Sequence, residues 1–433
     1  MKNVIPICHL LLCLGIGLLL STASSFANTA PYDYPITDRF VSTVVGTPSQ
    51  FQADLPHSMP LTKRRLRVFP ERKVPDVLWY ARDLLYSVAL QSKPAPLIYI
   101  IAGTGGGHDG EKNRVMAKAF FQAGFHVVSL SSPTYPNFVV AASSTGVVGH
   151  SEKDAADLYR VMEMIWAGLR AEIDVTAFHL SGYSLGGFNS AFVSKLDEQR
   201  GVFNFDKVLM INPPVSLYNS VSILDRMTEN IPGGVDNFNQ FAGQLMNGLT
   251  QIYTQTDDVF ANDILYRGYQ ALGLKDEQLA ALIGTSFRLS SASLVFAADI
   301  MADFGYIKPR GLVLDRNSDL TQYDGLATRL NFTDYYHEFF YPYYREEYPQ
   351  FSRDEFISAI SLQSITPYLR KTQKISLMHN ADDVILSRGD IDYLTEVFGG
   401  RAKIYPYGGH CGNLAHRDNI DHMLNVFNAS LAP

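Results

Sequence analysis

The sequence predicts an α/β fold: a mostly parallel sheet flanked by helices, with a large, mainly helical cap inserted before the last two strands. Three observations lead there. From Pro96 onward, short apolar runs alternate with amphipathic stretches at a spacing that suits right-handed strand–helix–strand units. The alternation stops near Pro213-Pro214 and resumes only at residue 374, so residues 215–370 carry little strand character. The chain of 433 residues is 46% hydrophobic and 18% charged, a composition able to pack a large core.

The leading segment, residues 28–95, reads as β-rich and as joining the main sheet through antiparallel edge strands. Runs 40–45 and 65–69 look like strands, and 79–90 fits either strand or helix. Residues 97–102 are continuously apolar and end at Gly103-Thr104-Gly105-Gly106-Gly107, as a buried strand running into a turn would. Helix 112–123, strand 125–130, helix 154–169, strand 175–180, helix 185–196 and strand 207–211 come next. After the cap come strand 374–378, helix 390–398, strand 402–405 and a last helix over 418–431. The core therefore comprises 96–214 and 371–433, and the cap 215–370. Within the cap, residues 331–351 contain ten aromatics. These suit either the lining of an apolar or carbohydrate-like site or simple interface packing.

The N-terminus carries a positive start at Met1-Lys2, an almost wholly apolar run over 4–20, and Ser25-Phe26-Ala27 with small residues at the two positions a signal peptidase reads. This predicts a signal peptide over 1–27 and an exported protein, periplasmic or secreted. An uncleaved anchor is the alternative. No other segment reads as long and apolar enough to cross a membrane, so membrane contact is expected only through the export signal. Cys8 and Cys13 fall in the signal, and Cys411 alone cannot form an internal disulfide. A net charge of −7 without a basic run argues against nucleic acid as a partner. No protein partner is predicted.

Candidate chemistry begins at Gly182-Tyr183-Ser184-Leu185-Gly186, which lies between a predicted strand and a predicted helix. A sharp strand-to-helix turn lifts the central serine above the sheet, and glycines at 182 and 186 keep the turn free of collisions. A serine needs a base to become nucleophilic. His410, in the glycine-rich loop after strand 402–405, is the first candidate, ahead of His416. An acid must orient that base. Asp383 is favoured over the adjacent Asp382, which reads as a turn residue bonding its own backbone. An oxyanion would be held by the backbone N–H of Leu185 and by one from the turn after strand 97–102, Thr104 first and Gly105 second. His108 reads as an exposed loop residue.

On the turn Gly103-Thr104-Gly105, the elbow around Ser184, the acid turn Asp382-Asp383 and the loop Gly409-His410, the chain resembles the α/β-hydrolase superfamily. The resemblance covers 96–214 and 371–433 and leaves out the leading segment and the cap. It implies an eight-stranded, mostly parallel sheet and no metal or organic cofactor. Many members carry His-Gly after the third strand, where this chain has Ala102-Gly103, which bears on the second oxyanion donor. A serine in place of a nucleophilic aspartate disfavours epoxide hydrolase and dehalogenase activity. The resemblance thus implies a carboxylic-ester hydrolase acting through an acyl-enzyme on a small-molecule or lipid-like ester. Peptidase, thioesterase or lipid acylhydrolase activity is the alternative on the same fold. A non-catalytic exported binding protein is the alternative from another class.

Overall fold

The computed structural model describes residues 32–244, 247, 263, 265–266 and 274–429. The predicted signal segment 1–27 and the end of the predicted helix 418–431 lie outside the described residues. Contacts divide the chain into a leading unit, Met1–Asp33, and a large unit, Tyr34–Pro433, and every element named below lies in the large unit.

Eight strands are formed: β1 (Thr62–Leu66), β2 (Leu84–Ala89), β3 (Ala95–Ile101), β4 (His126–Leu130), β5 (Val175–Tyr183), β6 (Lys207–Ile211), β7 (Ile375–Asn380) and β8 (Ala402–Tyr405). They lie in one sheet in the order β1-β2-β4-β3-β5-β6-β7-β8. Only β2 runs against its neighbours, and every other pairing is parallel. This is the α/β-hydrolase fold. The side chains of Leu97, Tyr99 and Ile101 on β3, Val128 and Leu130 on β4, and Val208 and Met210 on β6 belong to one buried cluster. Strands covered on both faces need no polar alternation, which is why they read as unbroken apolar runs.

The leading segment departs from expectation. Residues predicted as a strand at 40–45 form helix α1 (Arg39–Val45). Its β-branched valines and threonine favour a strand locally. The Asp38 side chain overrides them by accepting the Phe40 and Val41 N–H groups at 2.9 Å each, while Val41, Ser42 and Val45 are buried on one face. The strand expected at 65–69 lies instead at Thr62–Leu66, and the ambiguous run 79–90 divides into a 3-10 turn, Asp76–Ala81, and β2. Of the expected antiparallel edge strands only β2 is reversed, since β1 turns back into the direction of the rest.

Helices α2 (Glu111–Gln122), α3 (Pro136–Ala141), α4 (Ser151–Leu169) and α5 (Leu185–Arg200) connect the first half of the sheet. Between β6 and β7 the described residues form helices and turns and no strand. They include α6 (Leu217–Met227), α7 (Asp276–Ala302) and a bent run in which a π-helical turn, Tyr335–Phe340, sits between short α segments at Phe332–Asp334 and Tyr341–Arg345. At 27 residues, α7 is long and apolar enough to cross a membrane by length and composition, contrary to the expectation that no second segment would be. In the fold it packs against α1, α3 and α6, and Leu279, Ile283, Leu294, Val295 and Ala298 are buried. It is the central packed helix of the insertion. A second apolar cluster joins it to the sheet layer: Val139 and Val140 of α3 meet Leu294 and Val295 of α7 and Phe339, Phe340 and Tyr344.

The crossing of α7 over α6 is closest at Gly284, where a Cβ would stand 2.8 Å from the Thr228 amide nitrogen and 2.9 Å from the Met227 carbonyl carbon. In a free helix, Gly→Ala gains about 1 kcal/mol. Here the neighbour is backbone and cannot swing aside, so Gly284→Ala is expected to lower stability by about 1–3 kcal/mol. Thermal unfolding checks the sign, and a raised melting temperature would mean that α7 does not cross α6 this closely.

Candidate active site

The chain leaves β3 toward β4 on one side and later returns to β5 on the other. Adjacent strands whose connections depart in opposite directions open a crevice at their carboxyl ends. Two turns stand there: Gly103–Gly107 after β3, and Ser184 after β5.

Ser184 takes φ 55°, ψ −126°, a left-handed conformation that costs a non-glycine residue about 1–3 kcal/mol. Packing holds it. Its N–H donates to the Ile211 carbonyl at 2.8 Å, and α5 begins at the next residue. A Cβ on Gly182 would overlap the backbone of Gly186, and a Cβ on Gly186 would overlap the Ile101 carbonyl of β3. Both glycines are therefore required by close backbone approach. Gly103 is confined as well: a Cβ there would lie 2.8 Å from the Tyr183 ring and 3.0 Å from the Ser184 Cβ.

Three predicted residues, distant in sequence, come together. His410 Nε2 is 2.9 Å from Ser184 Oγ, and His410 Nδ1 is 3.0 Å from each oxygen of Asp383. A carboxylate accepts only, so Nδ1 carries the proton and Nε2 is left to accept from the serine hydroxyl. All three side chains are buried. Burial alone would push the Asp383 carboxyl up. Electrostatic attraction to the His410 ring and its hydrogen bond, with smaller help from the His379 ring and the Ile385 N–H, outweigh it and hold Asp383 below the usual carboxylate range.

Asp383 is also held by Asn212 and stands beside His379, two residues that sequence reasoning misses. Asn212 donates from Nδ2 to Asp383 Oδ2 at 2.9 Å and itself sits at φ 46°. His379 is fully buried, with Nε2 3.0 Å from the Pro213 carbonyl and Nδ1 accepting the Asn380 N–H at 2.9 Å. Burial lowers its pKa, which keeps it a neutral neighbour of the acid. Asn212 directly follows β6 and His379 lies near the end of β7. A polar residue at the carboxyl end of a central strand is the signal that could have found them. Asp382 lies in the turn and bonds its own backbone, as expected, and has a further task. It accepts the Gly409 N–H at 3.0 Å and so fastens the loop that carries His410.

That loop is clamped, not mobile as its glycines suggest. The Thr43 hydroxyl of α1 accepts the His410 N–H at 2.9 Å and donates to the Arg39 carbonyl at 2.7 Å. The Thr47 hydroxyl donates to the Gly412 carbonyl at 2.8 Å. A Cβ on Gly409 would overlap the Arg39 carbonyl, and one on Gly412 the Ser42 carbonyl. The glycines thus let α1 press onto the loop. Cys411 is buried beside them, and burial pushes its thiol far up, so it is unreactive. His416 is buried edge-on against the Tyr34 ring, a packing role. His108 is buried rather than exposed, with Nδ1 2.7 Å from Ser87 Oγ.

Two N–H groups remain for a developing anion. Leu185 is the first residue of α5, where the N–H has no acceptor within its own helix and the helix dipole favours negative charge. In the β3 turn, the Gly105 N–H donates to Thr134 Oγ1 at 2.9 Å, so the second-ranked donor is already engaged. Thr104 and Leu185 both line a cavity of about 80 Å³, continued by Thr134, Val148, Leu217, Tyr218, Val221 and Leu294. Phe332, Tyr335, Tyr336, Phe340 and Ile360 complete the wall. Phe332 and the π-helical turn line the cavity, while Phe339 and Tyr344 fill the packed layer behind.

No protein-family model matches the chain, and no curated protein matches it in sequence. Solved structures resemble it distantly. A carboxyl esterase from the mycorrhizal fungus Tuber melanosporum shares 14% identity over 91% of this chain and 94% of its own, with a TM-score of 0.40. A bacterial membrane phospholipase A shares 14% over 85% and 86%, with a TM-score of 0.43. A proline iminopeptidase from Mycobacterium smegmatis shares 12% over 84% and 97%, with a TM-score of 0.39. Likeness this remote carries no activity or substrate over to this chain.

The clamp by α1 is testable apart from any reaction. Thr43→Val keeps the side-chain shape and leaves the His410 N–H without its acceptor, which is expected to cost about 1–3 kcal/mol. Thr43→Ser should restore most of it. Equal melting temperatures for the wild type and Thr43→Val would show that this bond does not hold the loop.

Proposed function

We propose that the chain is a serine hydrolase that cleaves a carboxylic ester through an acyl-enzyme, outside the cytoplasm. The observation that carries this reading is the unbroken relay from Asp383 through His410 to Ser184 Oγ, with contacts of 3.0 and 2.9 Å, beside the N–H groups of Leu185 and Thr104. His410 Nε2 removes the hydroxyl proton as Ser184 Oγ attacks the ester carbonyl carbon. The carbonyl oxygen becomes an oxyanion, held by the two N–H groups. As the C–O bond to the alcohol breaks, His410 returns the proton to the leaving oxygen. Water then attacks the acyl-enzyme with His410 again as base, releasing the acid and Ser184. Asp383 fixes the imidazole tautomer and stabilises the imidazolium. The predicted signal peptide supports the location.

A pure binding protein has no use for this relay, and chemistry separates the two readings. Ser184→Ala and His410→Ala should abolish both ester hydrolysis and labelling by a fluorophosphonate. Undiminished labelling of Ser184→Ala would end the assignment. Asp383→Asn is expected to lower kcat by about ten-thousand-fold, because the asparagine favours the wrong histidine tautomer. A loss under tenfold would mean that Asp383 is not the orienting acid.

A further inference from the structure

We propose that the cavity beside Thr104 and Leu185 is an acyl-binding site for a short, uncharged, apolar acyl group, about three carbons beyond the carbonyl. The inference rests on the hydrolase reading and specifies which substrates that site takes.

The side of the carbonyl on which the cavity lies is set by the proton. The departing alcohol oxygen must receive its proton from His410 Nε2, so the alcohol lies toward His410. The cavity is lined by the two residues whose N–H groups face the carbonyl oxygen, while His410 and Ser184 are not in its wall. It therefore holds the other substituent of the carbonyl, the acyl group.

The chemistry of the wall sets the class. Among the described residues it has no charged side chain. Apart from the Thr104 hydroxyl, its polar side chains are already engaged. Thr134 Oγ1 accepts the Gly105 N–H, and the Tyr335 hydroxyl donates to the Val148 carbonyl at 2.9 Å. The Tyr336 hydroxyl donates to the Arg353 carbonyl at 2.9 Å, and the Tyr218 hydroxyl lies 3.0 Å from His337 Nε2. A free amine or carboxylate on the acyl group would be buried without a partner, at a cost of several kcal/mol. Aminoacyl and dicarboxylic substrates are disfavoured on that ground.

Volume sets the length. A closed apolar cavity of about 150 Å³ holds benzene, six carbons. At about 80 Å³ this cavity has roughly half that room. Phe340 limits its growth: its ring leans on Gly149, where even a Cβ would come within 3.3 Å. The Phe340 ring is also held by Tyr336, Tyr344 and Phe356 at centroid distances of 4.9–5.8 Å, so it cannot swing aside freely.

The test measures kcat/KM on the purified chain with 4-nitrophenyl acetate, butyrate, hexanoate and decanoate. A maximum at butyrate, with decanoate at least tenfold lower, is expected. A decanoate value equal to or above that for butyrate would overturn the proposal. Val221 is only half-buried in the wall. Val221→Phe should therefore fold and lower the butyrate-to-acetate ratio at least fivefold, and an unchanged ratio would overturn the placement. Phe340→Ala should raise the decanoate-to-butyrate ratio, and where it fails to fold the Val221 variant decides alone. Labelling by isopropyl fluorophosphonate separates the two levels. A labelled enzyme with a flat chain-length profile overturns only the acyl site. An enzyme neither labelled nor hydrolytic overturns the hydrolase reading, and this proposal falls with it.

Discussion

At the junction of β5 and α5, backbone stands against backbone with no side chain between. Gly186 rests on the Ile101 and Ala102 carbonyls at the end of β3, and Gly182 rests on Gly186. That compression leaves Ser184 only a left-handed conformation, which a serine does not choose unaided. The strain is held because the sheet on one side and the helix on the other are fully packed, and neither can relax without opening the core. The consequences reach through the site. The hydroxyl stands at the topological switch point, the N–H of Leu185 becomes the open end of a helix, and the β3 turn lies close enough to add a second N–H.

A serine so placed still needs a base at one fixed point, and the chain supplies it from remote pieces. The loop carrying His410 is pulled from two sides, by Asp382 on the Gly409 N–H and by Thr43 of α1 on the His410 N–H. The neighbouring carboxylates thus divide the work. Asp383 holds the ring, and Asp382 holds the backbone that bears the ring. Asn212 in turn holds Asp383. Each member is set by one hydrogen bond or more to a partner that is itself tied, which fixes the contacts at 2.9–3.0 Å.

Local requirements are legible in the sequence and tertiary ones are hidden. The elbow can be read because its demands are local: two glycines two residues either side of a serine, an apolar strand before and a helix after. Asp383 and His410 can be read because chain order in this fold fixes which strand ends they occupy. Helix α1 reads wrongly as a strand because Val41, Thr43, Val44 and Val45 carry β propensity, and only the Asp38 cap and the tertiary contact with the histidine loop reverse it. The glycines at 409 and 412 suggest flexibility, when close approach of α1 is what demands them. His108 reads as exposed for a similar reason, since its partner Ser87 comes from a strand whose pairing the sequence does not reveal. The cavity is illegible altogether, because it exists only where α6, α7 and the π-helical turn meet the β3 and β5 turns.

The central claim is that Ser184 takes up an acyl group. Rapid mixing of the purified chain with 4-nitrophenyl butyrate, followed in the millisecond range and then acid-quenched for peptide mass analysis, tests it most directly. The account predicts that a butyryl group is recovered on the peptide containing Ser184, and that this adduct is lost in Ser184→Ala. Steady hydrolysis with the butyryl group recovered on another residue, and undiminished in Ser184→Ala, would contradict it.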